Sequence, residues 1–160
     1  MAAFIKFDGV DGECTDDKHK AWSDLLSFSQ SLHQPGGSRT GAARRRGDVI
    51  LDDIVCVKEL DKASPKIAES ICLGKVFPKV EIDVTASYTN AGRVTYYRYE
   101  LKNVLVTSYS ISGAAQSEEV PTEQFSLNFE EIKVTYTEND SKGKKKGNIE
   151  YQWKVQEGTK

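Results

Sequence analysis

Apolar and polar residues alternate one for one along most of this chain, and that period of two constrains its fold more than any other feature. Val80, Ile82, Val84 and Ala86 alternate with Glu81, Asp83, Thr85 and Ser87. Ile149, Tyr151, Trp153 and Val155 alternate with Asn148, Glu150, Gln152 and Lys154. Each run reads as a strand with one dry face and one wet face. The vocabulary agrees. Valine and isoleucine together number 22 against nine leucines, with ten threonines and seven tyrosines, a choice that suits a pleated, half-buried surface. Strands are expected at 3–7, 22–32, 47–60, 78–89, 93–110, 122–137 and 147–156.

Two of these strands change phase midway. Phe125, Leu127 and Phe129 hold odd positions, whereas Ile132, Val134 and Tyr136 hold even ones, so the switch falls at Glu130-Glu131. A similar slip sits at Asn103, between Tyr97, Tyr99 and Leu101 and the run Val104 to Val106. A one-residue slip turns a whole apolar set to the wrong face, so a β-bulge is expected at each place. Bulges bend long strands, and bent long strands close sheets into barrels.

One helix interrupts the pattern. Ser64 is expected as its N-cap and Pro65 as its first residue. Ile67, Ala68 and Ile71 form an apolar stripe, and Gly74 supplies the stop. The helix spans about two turns, too few to stand alone, so it must dock on the sheet. No repeat or linker divides the chain, and 160 residues read as one domain, 1–160. The one long irregular stretch is 34–47, and loops of that length tend to be functional or disordered.

Charge excludes some function classes. Lys and Arg number 22 against 24 Asp and Glu, a net charge of −2. Nucleic-acid binding and membrane-surface binding normally need an excess of positive charge, so neither is expected. No apolar run approaches the roughly 18 residues of a membrane-spanning helix, and the first residues show no signal-peptide pattern. Cys14, Cys56 and Cys72 are an odd set without a Cys-x-x-Cys, and read as free thiols in a reducing compartment.

Catalytic candidates are thin. Asp16, Asp17, Lys18 and His19 cluster near the first turn and read as a solvated polar loop; His19 oriented by a carboxylate would be the general-base alternative. His33 has no acidic neighbour in sequence. Asp8 to Glu13 lacks the acidic spacing of a calcium loop, and Gly36-Gly37 lacks the Gly-Lys-Ser/Thr of a phosphate loop. No enzyme, cofactor or metal is expected. Two basic runs remain, Arg44-Arg45-Arg46 with Arg39 in the long loop, and Lys142 to Lys146 in a hairpin turn. Glu118, Glu119, Glu123, Glu130 and Glu131 offer an acidic counterpart. Patches of opposite sign on opposite ends would mate head to tail, and such contacts build rings or filaments.

Several segments together resemble a known family. They are Phe4-Ile5-Lys6 followed by Gly12-Glu13, the run Lys58 to Lys66 at a strand-to-helix junction, Gly74 to Pro78 at a helix exit, Val104 to Ser108, Ser126 to Tyr136, and Trp153. In order and spacing they resemble the haemolysin-coregulated proteins, Hcp, the tube subunits of bacterial type VI secretion. The resemblance implies a mainly β fold, a two-sheet β-barrel with one short flanking α-helix. It implies homohexameric rings that stack into a tube, with the type VI sheath and spike and small secreted effectors as partners. It implies a protein that resides in the bacterial cytoplasm before firing and is then secreted without a cleaved signal peptide. By the same resemblance, the loop bearing Arg39, Arg44, Arg45 and Arg46 reaches toward the next ring, and Ser112, Gly113, Ala114, Ala115 and Gln116 face the lumen. The rival readings are a monomeric β-barrel that binds a small ligand, and a hydrolase using His19 or His33.

Overall fold

The computed structural model describes residues 1–34 and 49–155. In chain order the elements are β1 (Ala2–Phe7), β2 (Ser23–Leu25), β3 (Ser27–Ser29), β4 (Leu32–His33), β5 (Ile50–Leu51), β6 (Ile54–Glu59), α1 (Ser64–Leu73), β7 (Val76–Tyr88), β8 (Gly92–Ser112), β9 (Thr122–Asn128), β10 (Glu131–Asn139) and β11 (Lys145–Lys154). The expected strand at 22–32 is therefore three short pieces, and the described part of 47–60 is two.

β8 is the spine. Its 21 residues pair along one side with β7, and along the other with β9 and then β10. β9 passes the sheet on to β6 and β3, whereas β10 passes it to β11. Beyond β7 lie β1 and β2. The ladder order β2-β1-β7-β8-β9-β6-β3 has two ends, where sequence led us to expect a closed barrel. Those two end strands are consecutive in the chain. Only Leu26 separates them, and its N–H donates to the Val57 carbonyl at 2.8 Å. β4 and β5 form a separate two-stranded sheet.

The expected bulge at Glu130-Glu131 is instead a break between two strands. β9 and β10 keep one register against β8, with Asn128 opposite Leu105 and Glu131 opposite Lys102. Phe129 and Glu130 absorb the slip between the two strands, with Glu130 N–H still donating to the Lys102 carbonyl at 3.1 Å. Asn103 faces the break in the left-handed conformation, φ 52°, a region Asn enters more readily than most residues. Its amide donates to Glu130 Oε2 at 2.8 Å, so the two phase slips seen in sequence are one joint. The ladder also skips Pro78 here, which has no N–H to give. Register shifts fall elsewhere, at Val84/Thr85 against β8 and at Val106/Ser108 against β9.

One core fills the inner side. Phe7 packs its ring 5.1 Å from Phe77 and 5.8 Å from Phe125. Ile54, Ile67, Ile82, Leu101, Leu127 and Ile132 are fully buried around them. Ile67 carries α1 onto this core; Ile71 packs partly and Ala68 is half-buried. Gly74 ends the helix at φ 62°, where its N–H reaches the Ile71 carbonyl and Lys75 N–H the Ser70 carbonyl.

The helix start corrects expectation. Ala63, not Ser64, holds the capping position and makes no side-chain cap. Ser64 is buried inside a polar knot. Its hydroxyl donates to Glu123 Oε1 at 2.9 Å and accepts from Lys58 Nζ and Asp61 N–H. Lys58 pairs with Glu123 at 2.5 Å and with Asp61 at 2.8 Å, and both Lys58 and Glu123 side chains are wholly buried. Asp61 accepts from Ala63 N–H and from Ser23 Oγ, while Tyr109 donates to Glu123. Burial, reinforced by that carboxylate, pushes the Tyr109 hydroxyl above its ordinary range.

Breaking a buried pair strands a charge, at a cost of about 3–5 kcal/mol, whereas replacing both partners by apolar groups of similar volume is near neutral. Glu123→Gln should therefore lower stability by about that amount in urea unfolding, and Lys58→Met with Glu123→Leu should recover most of it. A single variant within about 0.5 kcal/mol of the parent would remove the pair from any stabilising role. Acid should act through Asp61. Burial raises its carboxyl, but the Lys58 and Ser23 hydrogen bonds and the Lys58 charge outweigh that and hold it below the usual range. A carboxylate depressed on folding stabilises above its unfolded value of about 3.9 and loses that contribution as pH falls through the folded value. Stability should drop below about pH 4, and Asp61→Asn should flatten that drop.

Candidate functional site

The β8–β9 hairpin carries most of the sequence-predicted surface residues. β8 ends at Ser112, and Gly113, Ala114, Ala115 and Gln116 follow it around the turn; all five are exposed. Glu118 and Glu119 lie on the same loop and are also exposed. Glu123 does not join them. It is 1% exposed and belongs to the knot under α1. Glu130 is taken up by Asn103, and Glu131 by Gln152 and Lys102. The acidic patch is thus narrower than the sequence suggests. The predicted basic counterpart, Arg39, Arg44, Arg45 and Arg46, lies outside the described residues. Lys142, Lys144, Lys145 and Lys146 are exposed at the β10–β11 turn, where Asp140 accepts from the N–H groups of Lys142 and Lys144. Gly143 must be glycine there. Its φ is 80°, and a Cβ would stand 2.8 Å from the Tyr88 ring.

His19 corrects the solvated-loop expectation. It is 2% exposed. Nδ1 lies 2.7 Å from Asp16 Oδ2, and Nε2 lies 2.9 Å from Asp83 Oδ2. The ring stacks on Phe4 at 4.4 Å and meets Trp22 edge-on at 4.9 Å. Arg93 holds the other Asp16 oxygen at 3.0 Å. The His19 hydrogen bond, aided by the Arg93 and His19 charges against burial, keeps the Asp16 carboxyl below its usual range. Arg98 Nε sits 3.0 Å from Asp83 Oδ1, close enough to pair in charge but not aligned as a hydrogen bond. Both ring nitrogens are occupied by carboxylates, so neither is free to take a substrate proton. The cluster fastens the 14–22 loop to β7 and β8. Asp83 is 64 residues away in sequence, and only its place on the wet phase of a strand marked it.

Cys14 and Cys56 are poor candidates for a nucleophile. Burial pushes the Cys14 and Cys56 thiols up, which disfavours the thiolate. Cys72 is exposed on α1, and all three are free. Among the described residues, no group of three or more His, Cys, Asp or Glu side chains is placed to hold a metal ion.

Two hollows remain. One of about 400 Å³ lies between the turn after β1 and α1, lined by Lys62, Lys66, Lys75, Asp11 and Glu69. Its charges are partly matched: Asp11 pairs with Lys6 at 2.7 Å, which holds that exposed carboxyl low. The other, about 390 Å³, lies between the β4–β5 pair and β11 and is lined by Leu32, His33, Val49, Leu51, Tyr151 and Trp153. It adjoins an apolar surface. Tyr136, Ile149 and Tyr151 on the β10–β11 hairpin, and Leu32 and Ile50 opposite, are all exposed.

Comparison with known proteins places this scaffold. The chain is similar to protein hcp1 of Pseudomonas aeruginosa, 29% identical over 155 residues that span 96% of this chain and 94% of that one. A solved type six secretion system protein matches with a TM-score of 0.91 at 29% identity, covering 99% of this chain and 98% of its own. Hcp1 from Salmonella typhimurium matches with a TM-score of 0.78 at 25% identity, covering 99% and 97%. The family described as type VI secretion system effector, Hcp, matches residues 4–136, and with β8 as spine, α1 docked beside it and no free catalytic group in the His19 cluster, the chain belongs to the Hcp family of type VI secretion proteins.

Proposed function

We propose that this protein is the structural subunit of the type VI inner tube. Copies join into homohexameric rings, rings stack head to tail, and small effectors ride in the lumen. Its mechanism is assembly, not chemistry. The observation that carries the reading is the uncovered apolar surface of β10 and β11. Tyr136, Ile149 and Tyr151 are 44%, 77% and 43% exposed, although they stand in the same rows as buried core residues. Contiguous apolar surface of that kind marks a protein–protein contact.

The finer parts of the reading follow from the same framework. We read the sheet as a barrel, a reading supported by the two end strands of the ladder being consecutive in the chain with Leu26 between them. Arg39, Arg44, Arg45 and Arg46 bias ring stacking, with Glu118 and Glu119 as their acidic counterpart. Ser112, Gly113, Ala114, Ala115 and Gln116 face the lumen, where short side chains leave room for cargo. The outer surface meets the sheath, and the end of the stack meets the spike. The protein waits in the bacterial cytoplasm and leaves through this machine.

Native mass spectrometry at micromolar concentration tests the ring. Masses at six times the chain mass are expected, and a clean monomer would sink the proposal. Stacking should weaken with salt, because exposed charge pairs are screened within about 8 Å at 0.15 M and about 3 Å at 1 M. Tubes imaged by electron microscopy should shorten between those conditions while rings persist; equal lengths would remove the charged loop from stacking.

A further inference from the structure

α1 carries two stripes. Ile67 and Ile71 pack on the core. Lys62, in the turn before α1, shares another face with Lys66, Glu69 and Leu73, each three or four residues from the last. This second stripe lines the hollow of about 400 Å³ against the turn after β1. Lys75, just past the helix end, and Asp11, on the turn, complete its lining.

Both walls are fixed. Lys6 Nζ donates to the Val10 carbonyl at 2.8 Å, to the Ala21 carbonyl at 3.2 Å and to Asp11 at 2.7 Å, which holds the turn. The polar knot at Lys58, Ser64 and Glu123 holds the start of α1. The charges between the walls do not balance. Asp11 is taken by Lys6. Glu69 pairs with Lys66 at 3.6 Å, both side chains being exposed. Lys62 and Lys75 have no carboxylate partner among the described residues; Lys75 lies over the Phe77 ring, 4.9 Å from its centroid. Two ammonium groups are thus left over in one concave site.

We propose that this hollow binds a phosphate monoester, with the phosphate held between Lys62 and Lys75. Such a group carries a charge of about −1.5 to −2 at pH 7 and three acceptor oxygens. That matches two spare ammonium groups, each with several donors. A carboxylate would meet only half of their charge. Lysine holds phosphate as a point charge and needs no bidentate geometry to do so. The volume falls within the roughly 300–1,000 Å³ of small-molecule sites. It leaves room for an organic group beside Leu73, which is 69% exposed. A phospholipid headgroup offers the same phosphate chemistry from a second source. The site uses none of the residues assigned above to self-assembly, so it stands apart from the tube-subunit reading.

Isothermal titration calorimetry of the full chain with phenyl phosphate tests the site. Benzoate is the singly charged comparison, and phosphatidylcholine vesicles containing phosphatidic acid supply the lipid source. Benzoate should bind at least about tenfold more weakly than phenyl phosphate, because a hydrogen bond between charged groups is worth about a factor of ten or more. Lys62→Gln and Lys75→Gln should each weaken phenyl phosphate by about tenfold. Lys142→Gln, on the β10–β11 turn, should leave it unchanged. All three positions are exposed, and a melting temperature like the parent's confirms each fold; either hollow variant decides the matter if the other fails to fold. Vesicle binding lost in Lys62→Gln and Lys75→Gln, with free phenyl phosphate inert, would keep the site and assign its phosphate to a lipid headgroup. Parent-like affinity in either hollow variant, or equal loss in Lys142→Gln, would overturn the proposal. So would benzoate binding as tightly as phenyl phosphate, or no binding of phenyl phosphate or vesicles.

Discussion

The joint between Asn103 and Glu130 is the constraint from which the rest of the structure follows. β8 runs 21 residues and cannot be matched by one equally long neighbour on both sides. Against β7 it has one partner. On its other side the partner breaks at Phe129-Glu130, and the left-handed Asn103 holds the break with a 2.8 Å hydrogen bond. The break sends β9 to β6 and β10 to β11. One half of the inner face is then closed over by β6, β3 and α1, while the other half is a hairpin with a partly bare apolar row. The covered half supplies the core, and the bare half leaves Tyr136, Ile149 and Tyr151 exposed.

The covered half carries a cost of its own. Lys58 and Glu123 are direct cross-strand partners at positions that point to the core, and burying two charges offsets much of their attraction. What the pair secures is geometry. Asp61, Ser64, Ser23 and Tyr109 all converge on it, so β2, β6, β8, β9 and the start of α1 meet at one set of satisfied hydrogen bonds. Ser64 is the residue whose role shifts most. A serine ahead of Pro65 reads as a cap, yet the α1 start is held by Asp61 and the serine is turned inward to join strand to helix.

Much of this was legible in the residues. The period of two located nearly every strand, and the two phase slips marked both halves of the joint. Their meeting did not show, because Asn103 and Glu130 are 27 positions apart and periodicity carries no pairing information. Glu123 was readable and misread. It shares the odd phase of Phe125, Leu127 and Phe129, as Lys58 shares the phase of Ile54 and Cys56, so parity alone put both charges on the dry face. Counting Glu123 with its acidic neighbours in sequence hid that. His19 was readable only in part: a local carboxylate was foreseeable, its burial was not. Its second carboxylate comes from Asp83 on β7, and a loop of alternating charges gives no sign that one member will be stacked on Phe4 and sealed.

The same parity argument bears on the apolar surface that the described chain leaves uncovered. Ile149, Tyr151 and Trp153 keep strict phase with the core through the end of β11, although only Trp153 packs on that core. A strand selected only to cap a monomer would turn polar once its cover ended, since each exposed large apolar side chain gains nothing in water. Here the dry phase persists beyond the cover while charges gather along the strand and at its turn, at Lys142, Lys144, Lys145, Lys146 and Glu150. Charge at the edge blocks unlimited strand addition, and an apolar face beside it admits one docked surface. That combination favours a face-on contact over open-ended sheet growth.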